Sequence, residues 1–238
     1  METYKEFLDR ISAFETEEMS LGDAYFTGSA VLRQRVDENN RLKTFCGDTT
    51  VFNLDDAAKE QLARIVDRLY AAVPECFCER LIPATFHMTL HDLSNSPCLK
   101  DIAVEVFENE LKVVKKAAEL KHHTILMRSK AIFNMTSTSL VLGLYPANED
   151  EYRKLMELYH AMDDVKKLSY PLTPHITLAY YNINGFDTAS VRKLEAIVRE
   201  LNQTEMTFTL DTRNLYYQKF ISMNEYINII HLAGRTED

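Results

Sequence analysis

One eight-residue pattern occurs twice in this chain, and it limits the folds open to it more than any other feature. Pro-x-Thr-x-His-x-Thr-Leu runs from Pro83 to Leu90 and again from Pro171 to Leu178. Each copy ends a similar stretch. Thr49–Leu54 has the β-branched and aromatic composition of a strand. Asp55 or Asp56 can cap the helix after it, whose apolar stripe is Leu62, Ile65, Val66, Leu69 and Val73. In the second half Ser139–Tyr145 reads as a strand, and Asn148 and Glu151 have the spacing of a capping box. The stripe there is Tyr152, Leu155, Met156, Tyr159 and Met162. The tracts themselves fall in Ala84–Asp92 and His175–Tyr181, both read as strands. A strand–helix–strand unit present twice predicts two similar lobes facing each other. Two copies are too few for a solenoid.

The remaining periodicity fills in the chain. Residues 2–14 predict a short amphipathic helix on Tyr4, Phe7, Leu8 and Ile11. Ser29–Val36 and Arg41–Phe45 predict strands joined by the polar turn Asp37–Asn40. Asp101–Leu120 and Thr188–Leu201 read as helices; Thr124–Phe133, Thr207–Leu215 and Tyr226–Leu232 read as strands. At 238 residues a single bilobal unit is the expectation.

Composition narrows the function. A formal charge of −9 is unsuited to gripping a long phosphate backbone, so any nucleic-acid partner is expected to be a short end, a nucleotide or a small oligonucleotide. The opening residues lack the apolar stretch of a signal peptide, and no run of about 18 apolar residues occurs, so a cytoplasmic location without membrane association is expected. Cys46, Cys76, Cys78 and Cys98 make no C-x-x-C pair, and reduced, mostly buried thiols are expected of them.

Alternation along a strand gives the tract its chemistry. His87 and Thr89 point to one face while Phe86, Met88 and Leu90 point to the other; His175 and Thr177 likewise oppose Ile176 and Leu178. With the lobes facing each other, one groove holds two imidazoles and two hydroxyls. Histidine titrates near pH 6.5, so one imidazole can take a proton from a nucleophile while the other, protonated, gives one to a leaving oxygen. Threonine hydroxyls can hold the non-bridging oxygens of a phosphoryl group.

The paired His87-Met88-Thr89 and His175-Ile176-Thr177 resemble the signature of the 2H phosphoesterases, the superfamily that includes the LigT-like RNA 2′,3′-cyclic phosphodiesterases. The resemblance implies an α+β fold of two pseudo-symmetric lobes, with mainly antiparallel sheets lining a central groove and helices outside. It implies residues 41–232 as the core, residues 1–40 as an N-terminal extension without an assigned role, and no cofactor or metal. The implied activity is on 2′,3′-cyclic phosphates or 2′–5′-linked nucleotides, with His87 and His175 catalytic and Thr89 and Thr177 on the phosphate. Ligation of RNA at a 2′,3′-cyclic end is the reverse reaction and uses the same pair. A non-catalytic nucleotide-binding module, or a zinc site on His87, His91 and His175, is the competing reading. A monomer is expected.

Further candidates come from position alone. His91 lies four residues beyond His87, which regular alternation would put on the groove face. Tyr180 and Tyr181 follow the second tract and could stack on a base. Arg128, Lys130, Arg213 and Lys219 lie on or near expected strands and could hold a phosphate.

Overall fold

The computed structural model describes residues 2–18, 21–22 and 24–233. Among them are five α-helices and two four-stranded antiparallel sheets. The elements in chain order are α1 (Tyr4–Glu18), β1 (Cys46–Asn53), α2 (Asp56–Ala72), β2 (His87–Ser96), α3 (Leu99–Ala117), β3 (Thr124–Met135) and β4 (Ser139–Pro146). There follow α4 (Glu149–Asp163), β5 (His175–Tyr180), α5 (Thr188–Leu201), β6 (Thr207–Asp211), β7 (Leu215–Ser222) and β8 (Glu225–His231).

The repeat seen in sequence is the repeat seen in space. β1–α2–β2–α3 in lobe one corresponds to β4–α4–β5–α5 in lobe two. The strand orders are β2-β1-β7-β8 and β5-β4-β3-β6, so each tract-bearing strand lies at a sheet edge beside the strand that precedes its helix. Lobe two is nearly contiguous in sequence, whereas lobe one is completed by β7 and β8, which follow lobe two. The helices meet as a twofold relation requires, α2 against α5 and α3 against α4. The apolar sides of both sheets and their helices merge into one core, with Phe52, Met88, Leu140, Leu142, Ile176 and Leu178 buried.

Local chemistry sets the helix starts. The Asp55 carboxylate accepts from the N–H of Ala58 at 2.7 Å, and Asp187 does the same for Ser190 at 2.8 Å. Asn148 caps α4 by accepting from Asp150 and Glu151. The capping box is half realised: Glu151 turns away from Asn148 and accepts from the N–H of Leu126 at 2.8 Å, tying α4 to β3.

The N-terminal forty residues depart most from expectation. α1 forms as predicted and buries Phe7 and Ile11 against Tyr152. Ser29–Val36 is not a strand. Leu32–Gln34 is a 3-10 turn, with the N–H of Val36 donating to the carbonyl of Leu32. Leu32 and Val36, four residues apart, are both buried, a helical spacing that β-branched content had masked. Val36 and Leu42 share only an isolated bridge. Later in the chain, the expected strand Thr207–Leu215 breaks at a 3-10 turn, Thr212–Asn214, and β7 is a strand the periodicity did not reveal.

No described helix is long and apolar enough to cross a membrane. Cys46, Cys76 and Cys78 are buried and Cys98 is exposed, all as free thiols. Burial pushes the Cys76 and Cys78 thiols up to about 12, which keeps them protonated and unreactive.

A buried carboxylate locks lobe one. Asp48, on β1 and 1% exposed, accepts from the N–H of Ser94 at 2.8 Å, the Asn109 amide at 3.1 Å and the Tyr217 hydroxyl at 3.0 Å. It joins β2, α3 and β7 at one point. Removing the acceptor strands the buried Ser94 N–H, at roughly 1–3 kcal/mol, and leaves Asn109 and Tyr217 with only their second partners, the Ser94 hydroxyl and the Val106 carbonyl. Asp48→Ala is therefore expected to lower the unfolding free energy by at least about 2 kcal/mol in urea titration; a loss below about 0.5 kcal/mol would refute the role.

Candidate active site

Edge strands β2 and β5 approach each other, and the space beside them is a cavity of about 710 Å³. That lies within the roughly 300–1,000 Å³ typical of small-ligand sites. His87, Thr89, His175 and Thr177 all line it. The structure thus brings together the two imidazoles and two hydroxyls that the tracts predict.

The tract orients its own histidine. In both copies the Pro and Thr immediately precede the strand, through a 3-10 turn in lobe one and an irregular segment in lobe two, and the Thr carbonyl meets the ring two residues on. Nδ1 of His87 lies 2.7 Å from the carbonyl oxygen of Thr85, and Nδ1 of His175 lies 2.7 Å from that of Thr173. A carbonyl only accepts, so each Nδ1 carries the proton and each Nε2 is left as the basic nitrogen. The carbonyls of Thr85 and Thr173 thus orient the two rings, a role that side-chain identity in the motif does not reveal.

Both loops before the strands are braced. In lobe one the N–H of Ile82 donates to Asn224 at 2.8 Å, and the Thr85 hydroxyl donates to the carbonyl of Ile82 at 2.7 Å. In lobe two the Arg10 guanidinium, from α1, donates to the carbonyl of Leu172 at 3.0 Å and is held in turn by Glu2 at 2.7 Å. The ring of Tyr226 contacts His87 edge-on, with centroids 4.9 Å apart.

Burial lowers the pKa of both imidazoles. His87 falls to about 4: loss of solvent disfavours its cation, the Thr85 carbonyl opposes this, and the charge of His175 lowers it further. His175 is lowered by burial, against the opposing Thr173 carbonyl and the Asp92 charge. Both rings are accordingly biased towards the neutral form. A bound phosphate anion would restore the cation of the ring it contacts.

A bulge follows each H-x-T at the same place. β1 pairs Val51 with Thr89 and Thr50 with His91, passing over Leu90. β4 pairs Val141 with Thr177 and Leu140 with Ala179, passing over Leu178. One extra residue exchanges the faces of everything beyond it. Asp92 and Tyr180, each five residues after its histidine, thereby line the cavity.

The same bulge corrects the expectation for His91, which faces away from the cleft. It is 1% exposed, with Nδ1 2.8 Å from the carbonyl of Asp92 and Nε2 3.4 Å from Asp163 on α4. The three imidazoles His87, His91 and His175 therefore do not converge. Tyr181 also lies outside the cavity: it is fully buried against Phe26 and Phe77, past the end of β5. Of the two tyrosines only Tyr180 reaches the cleft.

The four basic residues singled out in sequence are engaged elsewhere. Arg128 pairs with Glu205, Lys130 with Glu15, Arg213 with Asp211 and Lys219 with Glu110. The guanidinium groups on the cavity wall are Arg10 and Arg35, both from the N-terminal segment. No periodicity marks them, because they reach the site through the packing of α1 and the 3-10 turn on the two lobes.

No protein-family model matches the sequence, and no curated protein does. Solved structures match the fold. A conserved protein of unknown function from Agrobacterium tumefaciens, ATU0111, superposes with a TM-score of 0.65 at 12% identity, over 83% of this chain and 90% of that one. LigT of Escherichia coli, in complex with 3′-AMP, superposes with a TM-score of 0.51 at 15% identity, over 81% of this chain and 99% of that one. At such identities the likeness is one of architecture: the chain has the bilobal α+β fold of LigT.

Proposed function

We propose that this chain is a 2H-type phosphodiesterase that needs no metal and acts on 2′,3′-cyclic phosphates or 2′–5′-linked nucleotides. The observation that carries the reading is the pair of imidazoles, each fixed at Nδ1 by the carbonyl of the threonine two residues earlier, on facing walls of one cavity. The LigT-like fold supports it, and the acidic composition, with a formal charge of −9, fits a small substrate.

The chemistry follows from the atoms. A water oxygen attacks phosphorus as Nε2 of one histidine takes its proton. The bond to the leaving ribose oxygen breaks as the other histidine, protonated, donates to that oxygen. The product is a phosphomonoester from a cyclic phosphate, or two ends from a 2′–5′ linkage. Proton moves balance, and the enzyme returns to its starting state once the two rings exchange a proton with solvent. Thr89 and Thr177 hold the non-bridging oxygens as charge redistributes. Which ring is base depends on the side from which the nucleophile enters. An oligonucleotide 5′-hydroxyl in place of water, attacking a 2′,3′-cyclic phosphate and breaking its ring P–O bond with the same two proton moves, would give ligation.

Purified protein in chelator is expected to open adenosine 2′,3′-cyclic phosphate or cut a 2′–5′ dinucleotide. His87→Ala and His175→Ala should each lower kcat by about 10²–10⁴-fold with the circular dichroism unchanged. Full activity in the double variant would overturn the proposal, and tight binding without turnover across a broad panel would favour a binding module.

The pH profile is a second test. The proton donor must be charged in the free enzyme for kcat/KM, and burial lowers the pKa of both candidates. The alkaline limb of kcat/KM is therefore expected below pH 6.5, the ordinary histidine value. The substrate anion stabilises the imidazolium, so the alkaline limb of kcat should lie at higher pH than that of kcat/KM. Coincident limbs, or a kcat/KM limb above pH 7, would count against His87 and His175 as the pair.

A conservative change probes the hydroxyls. Thr89→Val and Thr177→Val keep the strand shape and remove one donor each. Each is expected to cost roughly tenfold to a hundredfold in kcat, with smaller effects on KM. An unchanged kcat in both would remove the threonines from the phosphate site.

A further inference from the structure

The cavity extends past the histidines to an end built partly by residues that precede β1. Val31, Arg35 and Phe45 stand there with Phe220, Tyr180 and Tyr226. Arg35 is half-buried, and its guanidinium carbon lies 4.1 Å from the centroid of the Phe45 ring. One of its N–H groups donates to the carbonyl of Val31 at 3.3 Å. Its charge reaches the phenols of Tyr180 and Tyr226, where it works against the burial that raises both. Tyr226 in turn touches His87, so Arg35 stands one aromatic ring away from a histidine.

The two guanidinium groups on the cavity wall differ in their state. Arg10 is neutralised by both carboxylate oxygens of Glu2, at 2.7 and 3.0 Å, and is committed to the Leu172 carbonyl. Among the described residues no carboxylate forms an ion pair with Arg35. The carboxylate that lines the same cavity, Asp92, accepts from the Tyr170 hydroxyl at 2.9 Å. A half-buried cation without a counter-ion is costly, and an incoming anion relieves that cost. A guanidinium laid on an aromatic ring is also held in place; beyond its bonds to the Val31 carbonyl and the Tyr180 phenol, its five in-plane N–H groups leave donors that can meet a phosphate as a fork.

We infer that Arg35 marks a subsite for a second phosphate of the substrate. The preferred substrate is a nucleotide or short oligonucleotide that carries a further phosphate beyond the one at which the histidines act. This rests on the phosphodiesterase reading for the location of the reacting group. A 5′-terminal phosphate and a neighbouring internucleotide phosphate share the chemistry, and both would be drawn to the same guanidinium.

Binding and turnover separate the two claims. Calorimetry compares adenosine 2′-monophosphate with adenosine 2′,5′-bisphosphate, and a dinucleotide ending in a 2′-phosphate forms a third arm. The wild-type protein is expected to bind a two-phosphate ligand at least about tenfold more tightly than the monophosphate. The arm with the larger margin, bisphosphate or dinucleotide, identifies the source of the second phosphate. Arg35→Gln should reduce the margin to near one, and Arg35→Lys, which keeps the charge but not the fork, should restore part of it. The margin should persist in the His87→Ala, His175→Ala double variant. Equal binding of all three ligands, a margin that survives Arg35→Gln, or no binding of any of them would overturn the subsite. A margin without turnover of any cyclic phosphate or 2′–5′ linkage would instead overturn the phosphodiesterase reading and leave the subsite standing. Turnover without a margin would do the reverse.

Discussion

The hydrogen bond from a histidine Nδ1 to the carbonyl two residues before it is the interaction on which this site depends. It occurs twice, at 2.7 Å each time, and selects the same tautomer on both walls. Without it each ring could carry its proton on either nitrogen and rotate about its side-chain bonds. With it, Nε2 is presented to the cavity before any ligand arrives, and the ordering cost is met in folding. The demand on the backbone is exacting. The carbonyl of the threonine must be directed at the ring, which the proline-containing segment before each strand achieves, and the strand must begin at the histidine itself. In lobe one this coincides with a 3-10 turn at Pro83–Thr85 and with β2 starting at His87.

The pairing of the sheets supplies the second constraint. Each tract-bearing strand lies at a sheet edge, normally an aggregation hazard. Here the two edges approach each other beside the cavity, and a bulge at Leu90 and at Leu178 twists each strand at the point where it leaves its His-x-Thr segment. The bulge also decides what stands next to the histidines. Asp92 is brought to one wall and Tyr180 to the other, so the lobes match in backbone and differ in the chemistry they present.

Much of this was legible in the chain because it is local. The caps at Asp55 and Asn148, the helical stripes and the alternation around His87 and His175 depend on residues within a few positions of one another. What was not legible depends on partners far away. His91 looked like a groove residue because a regular strand alternates. The bulge that turns it towards Asp163 is a property of the pairing with β1, which alternation alone does not contain. Tyr181 fails for a related reason, since β5 ends one residue sooner than its composition suggests. β7 was missed because Thr207–Leu215 reads as one unbroken strand until Thr212 turns the chain. The cations at the cavity were missed because Arg10 and Arg35 belong to a segment outside the repeat.

The order of strands along the chain has a consequence for how the site comes into being. β1 and β2, with His87, emerge early in synthesis, yet β1's other neighbour, β7, comes only after the whole of lobe two. Until then β1 has an open side, and Asp48 lacks the Tyr217 hydroxyl that completes its shell. Lobe two, with His175, has its four strands close together in sequence and can pair them sooner. By this order the histidine-bearing wall of lobe two can be paired while that of lobe one still waits for β7, and the open side of β1 is then the segment a chaperone would have most reason to cover.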